Sequence, residues 1–290
     1  MAPEKKNLEE IYFLSPQDKK FPQELHETPW PPRGLYVKGE IRGPKPKVAI
    51  VGTRRSTSYG KEVAFKIAQT LAGEGVIVVS GLALGIDAAA HEGALSGGGI
   101  TWAVMGSGLE NIYPKAHAGL AEKIIKQGGA LISEYPRGLV ARRYTFPERN
   151  RIVAGLAKLT IVIEAPEKSG ALITARLALE AGREVGVVPG DVFRANFIGS
   201  NRLLREGAHP ILGAQDALYL IGIEPSGKTP KLDKLDEIAE SILQCLDGPK
   251  SADEIILATK LKPAIISQKL MELELKNIIK SAGGVWRKTI

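Results

Sequence analysis

The chain has 290 residues, 44% hydrophobic and 24% charged, a balance that excludes intrinsic disorder and leaves room for one large α/β domain with a small satellite. No apolar run approaches the roughly 18 residues of a membrane helix, and the opening Met1-Ala2-Pro3-Glu4-Lys5-Lys6-Asn7 lacks the apolar core of a signal peptide, so a cytoplasmic protein without membrane association is expected. A single cysteine, Cys245, and four scattered histidines exclude a disulfide framework and a zinc cluster, while a net charge of +7 is too modest to name a partner.

Residues 1–40 are rich in proline and aromatics, with Phe21-Pro22 and Pro29-Trp30-Pro31-Pro32, and are expected to form an irregular arm packed on the main domain. Lys47-Val48-Ala49-Ile50-Val51-Gly52 predicts a strand, followed by a polar turn over 53–60 and an amphipathic helix over 61–74. Val76-Ile77-Val78-Val79 predicts a second strand, buried on both faces. It ends at Ser80-Gly81 and turns through Leu82-Ala83-Leu84-Gly85-Ile86 into an alanine-rich helix, with Asp87 placed to cap it. Strands at 100–105, 130–133, 158–164 and 185–188, with helices near 114–127 and over 171–181, bring the series to about six strands. Such alternation predicts an extended Rossmann-like, doubly wound, mainly parallel α/β sheet over residues 41–222.

Residues 223–234 read as a linker, and 235–290 as a separate small domain. A helix over 235–246 carries Cys245 on its apolar side, Ser251-Ala252-Asp253-Glu254 opens a second as a capping box, and Lys262-Pro263-Ala264 opens a third. With a glycine-turned hairpin over 278–288 these make a winged helix. The third helix mixes Lys262, Lys269 and Lys276 with Glu272 and Glu274, which leaves DNA and protein contact both open.

Ligands of a doubly wound sheet bind beyond the carboxyl ends of its strands. Those ends carry Gly52-Thr53-Arg54-Arg55, Ser80-Gly81, Gly106-Ser107-Gly108, Ser133-Glu134, Glu164-Ala165 and Pro189-Gly190. Glycine turns that lead into helices aim free N–H groups outward and suit an anion, although tight turns favour Gly and Ser whatever their function. The spacing of a dinucleotide fingerprint is absent, and Gly60-Lys61 is followed by Glu62 where a P-loop needs Ser or Thr, so neither nicotinamide chemistry nor ATP hydrolysis is expected. Ser107 lies outside any nucleophile elbow, and His91 falls mid-helix, where a packed ring is expected. Asp87, Glu134 and Glu164 are open to two readings, an acid/base set or caps and loop hydrogen bonds. The loop over 137–151 sets five arginines against one glutamate, with Tyr144 and Phe146 interleaved. Guanidinium forks match phosphates and aromatic rings stack on unpaired bases, so this loop reads as a single-strand groove, a solvated basic loop being the alternative.

Val51-Gly52-Thr53-Arg54, Tyr59-Gly60, Ser80-Gly81, Gly85-Ile86-Asp87, Tyr113-Pro114, Leu131-Ile132-Ser133-Glu134, Phe146-Pro147-Glu148-Arg149-Asn150-Arg151, Ser169-Gly170-Ala171, Val188-Pro189-Gly190 and Gly199-Ser200-Asn201 occur in an order that resembles the DNA-processing protein A (DprA/Smf) family over about residues 20–215. The resemblance implies a homodimeric protein that binds and protects incoming single-stranded DNA in natural transformation and loads the RecA recombinase onto it, without catalysis or cofactor. Carried over by motif, the basic pocket falls on Arg54, on Arg143 or its neighbour Arg142, and on Arg149 and Arg151, with Phe146 as a stacking ring and Lys115 beside it. Gly52, Thr53, Ser80, Gly81, Asn150, Ser169, Gly170 and Asn201 complete the implied DNA or phosphate contacts. Thr53 and Ala171 stand where the family commonly has Ser, His117 stands near a usual Asn, and the helical N-terminal domain of many members is not expected here. Two rival readings remain, a nucleotide phosphoribohydrolase and a nucleotide-sensing winged-helix regulator. The first needs Pro-Gly-Gly-x-Gly-Thr, where this chain has Pro189-Gly190-Asp191-Val192.

Overall fold

Valine, isoleucine and alanine dominate the central strands because helices cover both of their faces. The computed structural model describes residues 10–225, 236–275 and 278–288, which fall into two compact units, Met1–Ser226 and Gly227–Ile290. Numbered along the chain, the expected strands of the first unit are β3 (Lys47–Val51), β4 (Ile77–Ser80), β5 (Thr101–Met105), β6 (Ala130–Ser133), β7 (Leu159–Val162) and β8 (Glu184–Val187). All six are parallel, in the order β6-β5-β4-β3-β7-β8. The direction of winding reverses at β3, and that reversal opens a crevice at the carboxyl ends.

Described from residue 10 onward, the N-terminal segment is not irregular, contrary to the sequence expectation. Ile11–Leu14 (β1) and Leu35–Gly39 (β2) pair antiparallel, and β2 pairs antiparallel with β6, while His209–Pro210 (β9) adds to the other edge. The described sheet therefore has nine strands. Leu35 and Val37 are buried while Tyr36 and Lys38 are half-buried, the period of a strand with one covered face. The prolines that hid this pattern lie between β1 and β2, where they cost the ladder no hydrogen bond.

Alternate strand residues feed two cores. Val48, Ile50, Val78 and Ile161 meet helices α1 (Ser58–Gly73), α2 (Ile86–Ser96) and α7 (Ala214–Leu220), and Ala103, Met105 and Leu131 meet α3 (Ala118–Lys126). On the other side Ala49, Val51, Val79 and Val104 meet α4 (Thr145–Leu156) and α5 (Gly170–Glu180). A short helix α6 (Ile198–Arg205) follows β8.

The second unit has helices α8 (Glu237–Cys245), α9 (Ala252–Thr259) and α10 (Pro263–Leu275) and a sheet of β10 (Lys250–Ser251), β12 (Val285–Lys288) and β11 (Ile279–Ala282), a winged helix. Asp236 caps α8, and Ser251 with Glu254 forms the expected capping box of α9. Gly283 and Gly284 take φ of +61° and +80°, the turn that a two-residue hairpin requires. Cys245 is half-buried against Ala239 and Ile242 and is an ordinary packing residue. Most of the expected linker, together with Leu235 and Lys276, lies outside the described residues.

Candidate nucleic-acid interface

The basic motif expected in a loop belongs instead to a helix. Residues 134–144 turn across the rim, and Phe146 to Arg151 occupy the first two turns of α4. Pro147 fits there because the opening turn of a helix has no N–H partner to lose. Thr145 fixes the start, its hydroxyl accepting from the Arg142 amide at 3.1 Å and donating to the Arg142 carbonyl at 2.8 Å. Helical spacing then sorts the side chains. Thr145, Arg149, Ile152, Val153 and Leu156 share the face that packs on the sheet, so Arg149 lies beneath the rim.

Arg149 is 5% exposed, and its Nη1 donates to the Gly81 carbonyl at 2.7 Å and to the Val104 carbonyl. A Cβ on Gly81, the residue after β4, would stand 2.4 Å from the guanidinium, so a side chain there would push Arg149 out of this position. Asp87 does not cap α2, whose N-cap is Gly85. Its Oδ2 reaches back to accept the amides of Gly81 at 3.1 Å and Ala83 at 3.3 Å. Burial pushes its carboxyl above the usual range, and the Arg149 charge together with these amides partly offsets that rise. Desolvation lowers the Arg149 guanidinium to about 10, with Asp87 opposing the shift, so it stays charged at neutral pH. Each charge offsets part of the other's burial cost beneath the rim.

The other carboxylates are also engaged. Arg151 Nη2 bonds both oxygens of Glu134 at 2.5 Å, while its Nη1 donates to the Trp30 carbonyl at 2.8 Å and ties the N-terminal segment to α4. Glu164 is fully buried at the end of β7, where Oε2 accepts from the Thr57 amide and from Asn196 Nδ2, both at 3.0 Å, and Oε1 from the Thr57 hydroxyl. It shapes the turn that carries Gly52, Thr53 and Arg54, and its own carbonyl accepts the Thr53 amide at 2.8 Å. Glu148 accepts from the Tyr135 hydroxyl at 2.6 Å, and burial with this neighbouring charge raises that phenol. Of the two readings left open for Asp87, Glu134 and Glu164, the observed bonds are those of loop organisers.

Above this layer the exposed groups gather. The Arg54 guanidinium lies 4.8 Å from the Phe146 ring centroid, and Tyr113 meets the same ring at 5.5 Å and 44°. Phe146 is half-buried against Gly106, and Lys115 is exposed two residues beyond Tyr113. Arg142 and Arg143 are exposed on the turn into α4. Among the described residues Arg54, Arg55, Lys115, Arg142 and Arg143 have no ion-pair partner, whereas Arg137 is held by Glu110 at 3.4 Å and Arg151 by Glu134.

The remaining candidates are spoken for within the fold. Ser80 donates to the Ile50 carbonyl at 2.6 Å, and Ser169 caps α5 through the Ala171 amide at 3.2 Å. Asn150 donates to the Gly170 carbonyl at 3.3 Å, which joins α4 to the Ser169-Gly170 turn. Asn201 grips Gly190 from both sides, at 3.2 and 2.9 Å, and stands apart from the Arg54–Phe146 cluster at the end of β8. Arg55, named at a strand end, and Tyr113, named in the Tyr-Pro motif, were given no contact role by the sequence, yet the fold brings both to this rim. His91 is packed as expected. The Thr101 hydroxyl donates to the Val78 carbonyl at 2.7 Å, so His91 Nδ1 must donate to that hydroxyl, at 2.6 Å, leaving Nε2 buried without a partner. Burial, with His117 and Arg149 nearby, lowers this ring to about 3.

Residues 12–222 match the family model described as DNA recombination-mediator protein A, and residues 226–284 match one described as the DprA winged helix domain. Protein Smf of Escherichia coli (strain K12) is 43% identical over 199 residues, covering 68% of this chain and 53% of that protein, so this chain spans about half the length of that relative. DNA processing protein DprA of Streptococcus pneumoniae is 41% identical over 214 residues, covering 73% of this chain and 75% of that one. The crystal structure of the pneumococcal protein superposes with a TM-score of 0.69 at 40% identity, over 74% of this chain and 75% of its own. DNA processing protein A from Helicobacter pylori, whose structure is described as revealing a single-stranded DNA binding mode, superposes with a TM-score of 0.66 at 32% identity, over 73% of this chain and 95% of its own.

Proposed function

Because the chain belongs to the DNA recombination-mediator protein A family, we propose that it binds single-stranded DNA along the carboxyl-end rim of its sheet, in the cytoplasm and as a homodimer. It protects incoming DNA during natural transformation and loads the RecA recombinase onto it, turning over no substrate of its own. One observation carries the reading: Arg54 stacked on Phe146, on a rim that also carries the exposed Lys115, Arg142 and Arg143, none with an ion-pair partner among the described residues. Guanidinium and ammonium groups without carboxylate partners are available to phosphates, and Phe146 with Tyr113 offers aromatic faces that an unpaired base can share. A duplex hides those base faces. Arg149, Asp87 and Glu164 act beneath as the support that keeps the turns in place.

The test is an anisotropy titration with oligo-dT, the matching duplex and AMP side by side. Tight binding of oligo-dT, with weaker duplex and no AMP binding, is expected. Preference for AMP, or release of free base from it, would overturn the reading. Adding RecA tests the second half: the protein should shorten the lag before RecA hydrolyses ATP on single strands, and an unchanged lag removes the loading role.

A further inference from the structure

The turn after β8 holds an aromatic ring out in water. Phe193 is 94% exposed and Val192 71%. Its backbone is nonetheless pinned: Asp191 Oδ1 accepts the Phe193 amide at 2.9 Å, the Asp191 carbonyl accepts the Arg194 amide at 3.1 Å, and Asn201 holds Gly190. Asn196 Nδ2 then ties the turn to the neighbouring strands, donating to the Arg55 carbonyl and to Glu164 Oε2 at 3.0 Å each. A phenyl ring normally gains by burial, and Phe193 with Val192 beside it presents an apolar face on a fixed turn that a base can cover. The charge beside it is positive. Arg55 is exposed and unpaired among the described residues, and Arg194 is exposed with Asp191 at 3.3 Å, the one carboxylate on that turn.

We infer that Phe193 is a second stacking platform for the single strand, on the far side of β3 from Phe146, with Arg55 between them to meet a phosphate. This rests on the reading of the rim given above and extends it to a path of definite length. Phe146 packs against Gly106 at the end of β5, and Phe193 follows β8. Those strands are separated by the steps β5-β4, β4-β3, β3-β7 and β7-β8. At about 4.8 Å a step the strand ends beside the two rings are on the order of 19 Å apart, roughly six nucleotides at a stacked rise of about 3.4 Å. A strand much shorter than six nucleotides reaches one ring only; a longer one engages both.

Anisotropy titrations of oligo-dT of four and of twelve nucleotides, with wild type, Phe193→Ala, Phe193→Trp and Phe146→Ala and a melting curve for each, test this. Phe193→Ala should bind the 12-mer roughly five- to a hundredfold more weakly and the 4-mer as wild type does, while Phe146→Ala weakens both. Phe193→Trp should restore the 12-mer affinity and show indole quenching on binding. The platform is overturned if Phe193→Ala binds the 12-mer normally, loses both lengths alike, or melts early, the last because the ring would then belong to the fold. If wild type binds neither length, the rim reading goes and the platform with it. If wild type binds, Phe146→Ala weakens and Phe193→Ala does not, the platform alone goes.

Discussion

Arg149 and Arg54 lie at the same rim and carry the same charge, and the fold puts them to opposite uses. Arg149 projects from the sheet-facing side of α4 into a layer where Gly81, Val104 and Asp87 consume its donors and its charge. Arg54 sits on the polar turn after β3, exposed, with its flat face on Phe146 and no carboxylate partner among the described residues. An arginine is available to a phosphate only if the fold has not already spent it, and a count of positive charge along the chain cannot tell the two cases apart. Arg151 falls between them, half-buried, with its Nη2 shared by both oxygens of Glu134. A phosphate would have to compete with that carboxylate for it.

The sharpest way to break this contrast is to remove the anchored member. Arg149→Ala leaves buried Asp87 without the nearby opposite charge that offsets its burial and takes the Arg149 donor from two carbonyls, a loss of about 3–5 kcal/mol of stability. Urea unfolding of the variant measures it, and a midpoint within error of wild type would place Arg149 on the surface with Arg54. The same buried layer predicts a pH dependence through His91. Its folded value of about 3 lies below the ordinary 6.5, so the native state binds this proton less readily than the unfolded chain. The stabilisation is complete above pH 6.5 and is lost as the pH falls towards 3, at up to about 1.4 kcal/mol per unit. His91→Gln should flatten the profile of unfolding free energy in that window alone, and identical profiles for both proteins would contradict a buried neutral ring.

The six central strands were legible because a strand covered on both faces needs an almost unbroken apolar run, and Val48-Ala49-Ile50-Val51 or Ile77-Val78-Val79 has few other uses. The winged helix was legible through its caps and glycine turn. Strands β1 and β2 were not, since their pairing is with each other and with β6, far along the chain, and the prolines between them dominate the local signal. The rim was half legible. Its residue types could be named, but whether Arg149 faces in or out depends on α4 beginning at Thr145, inside the stretch 137–151 that reads as a loop. The apolar spacing of Ile152, Val153 and Leu156 against Arg149 was the signal that could have settled it. Asp87 looked like a cap because caps are local, whereas its role, accepting Gly81 and Ala83 amides under Arg149, exists only after folding.

On the exposed side the ring should matter more than any one charge. Phe146→Ala removes a stacking face and should cost about 1–3 kcal/mol of binding while leaving the salt dependence nearly unchanged, because stacking releases no counterion. The ring is half-buried, so its truncation also lowers the melting temperature. Binding is therefore compared at a temperature where both proteins are folded. A variant that melts early yet binds normally would return Phe146 to the core.

The smallest effect is the most specific. Arg143→Ala, at an exposed position with no ion-pair partner among the described residues, should move stability by no more than about 0.5 kcal/mol. Its signature lies in the salt dependence: the logarithm of the affinity falls linearly with the logarithm of salt at about −0.7 for each phosphate neutralised on a single strand, so one lost contact flattens the slope by about that amount. Arg54→Ala should flatten it likewise and lose additional affinity through the Phe146 ring it covers. Arg151→Ala discriminates the intermediate case. If Glu134 keeps that guanidinium, the slope stays at the wild-type value and stability falls as Glu134 and the Trp30 carbonyl lose their partner. If a phosphate displaces Glu134, the slope flattens, because the freed carboxylate remains in solvent while the counterion is released. Titrations with oligo-dT at four salt concentrations, with a urea curve for each protein, separate these outcomes. Slopes that flatten equally for Arg143→Ala and Arg151→Ala would show that an ion pair at this rim is no barrier to phosphate, and the line drawn between spent and available arginines would then run through Arg149 alone.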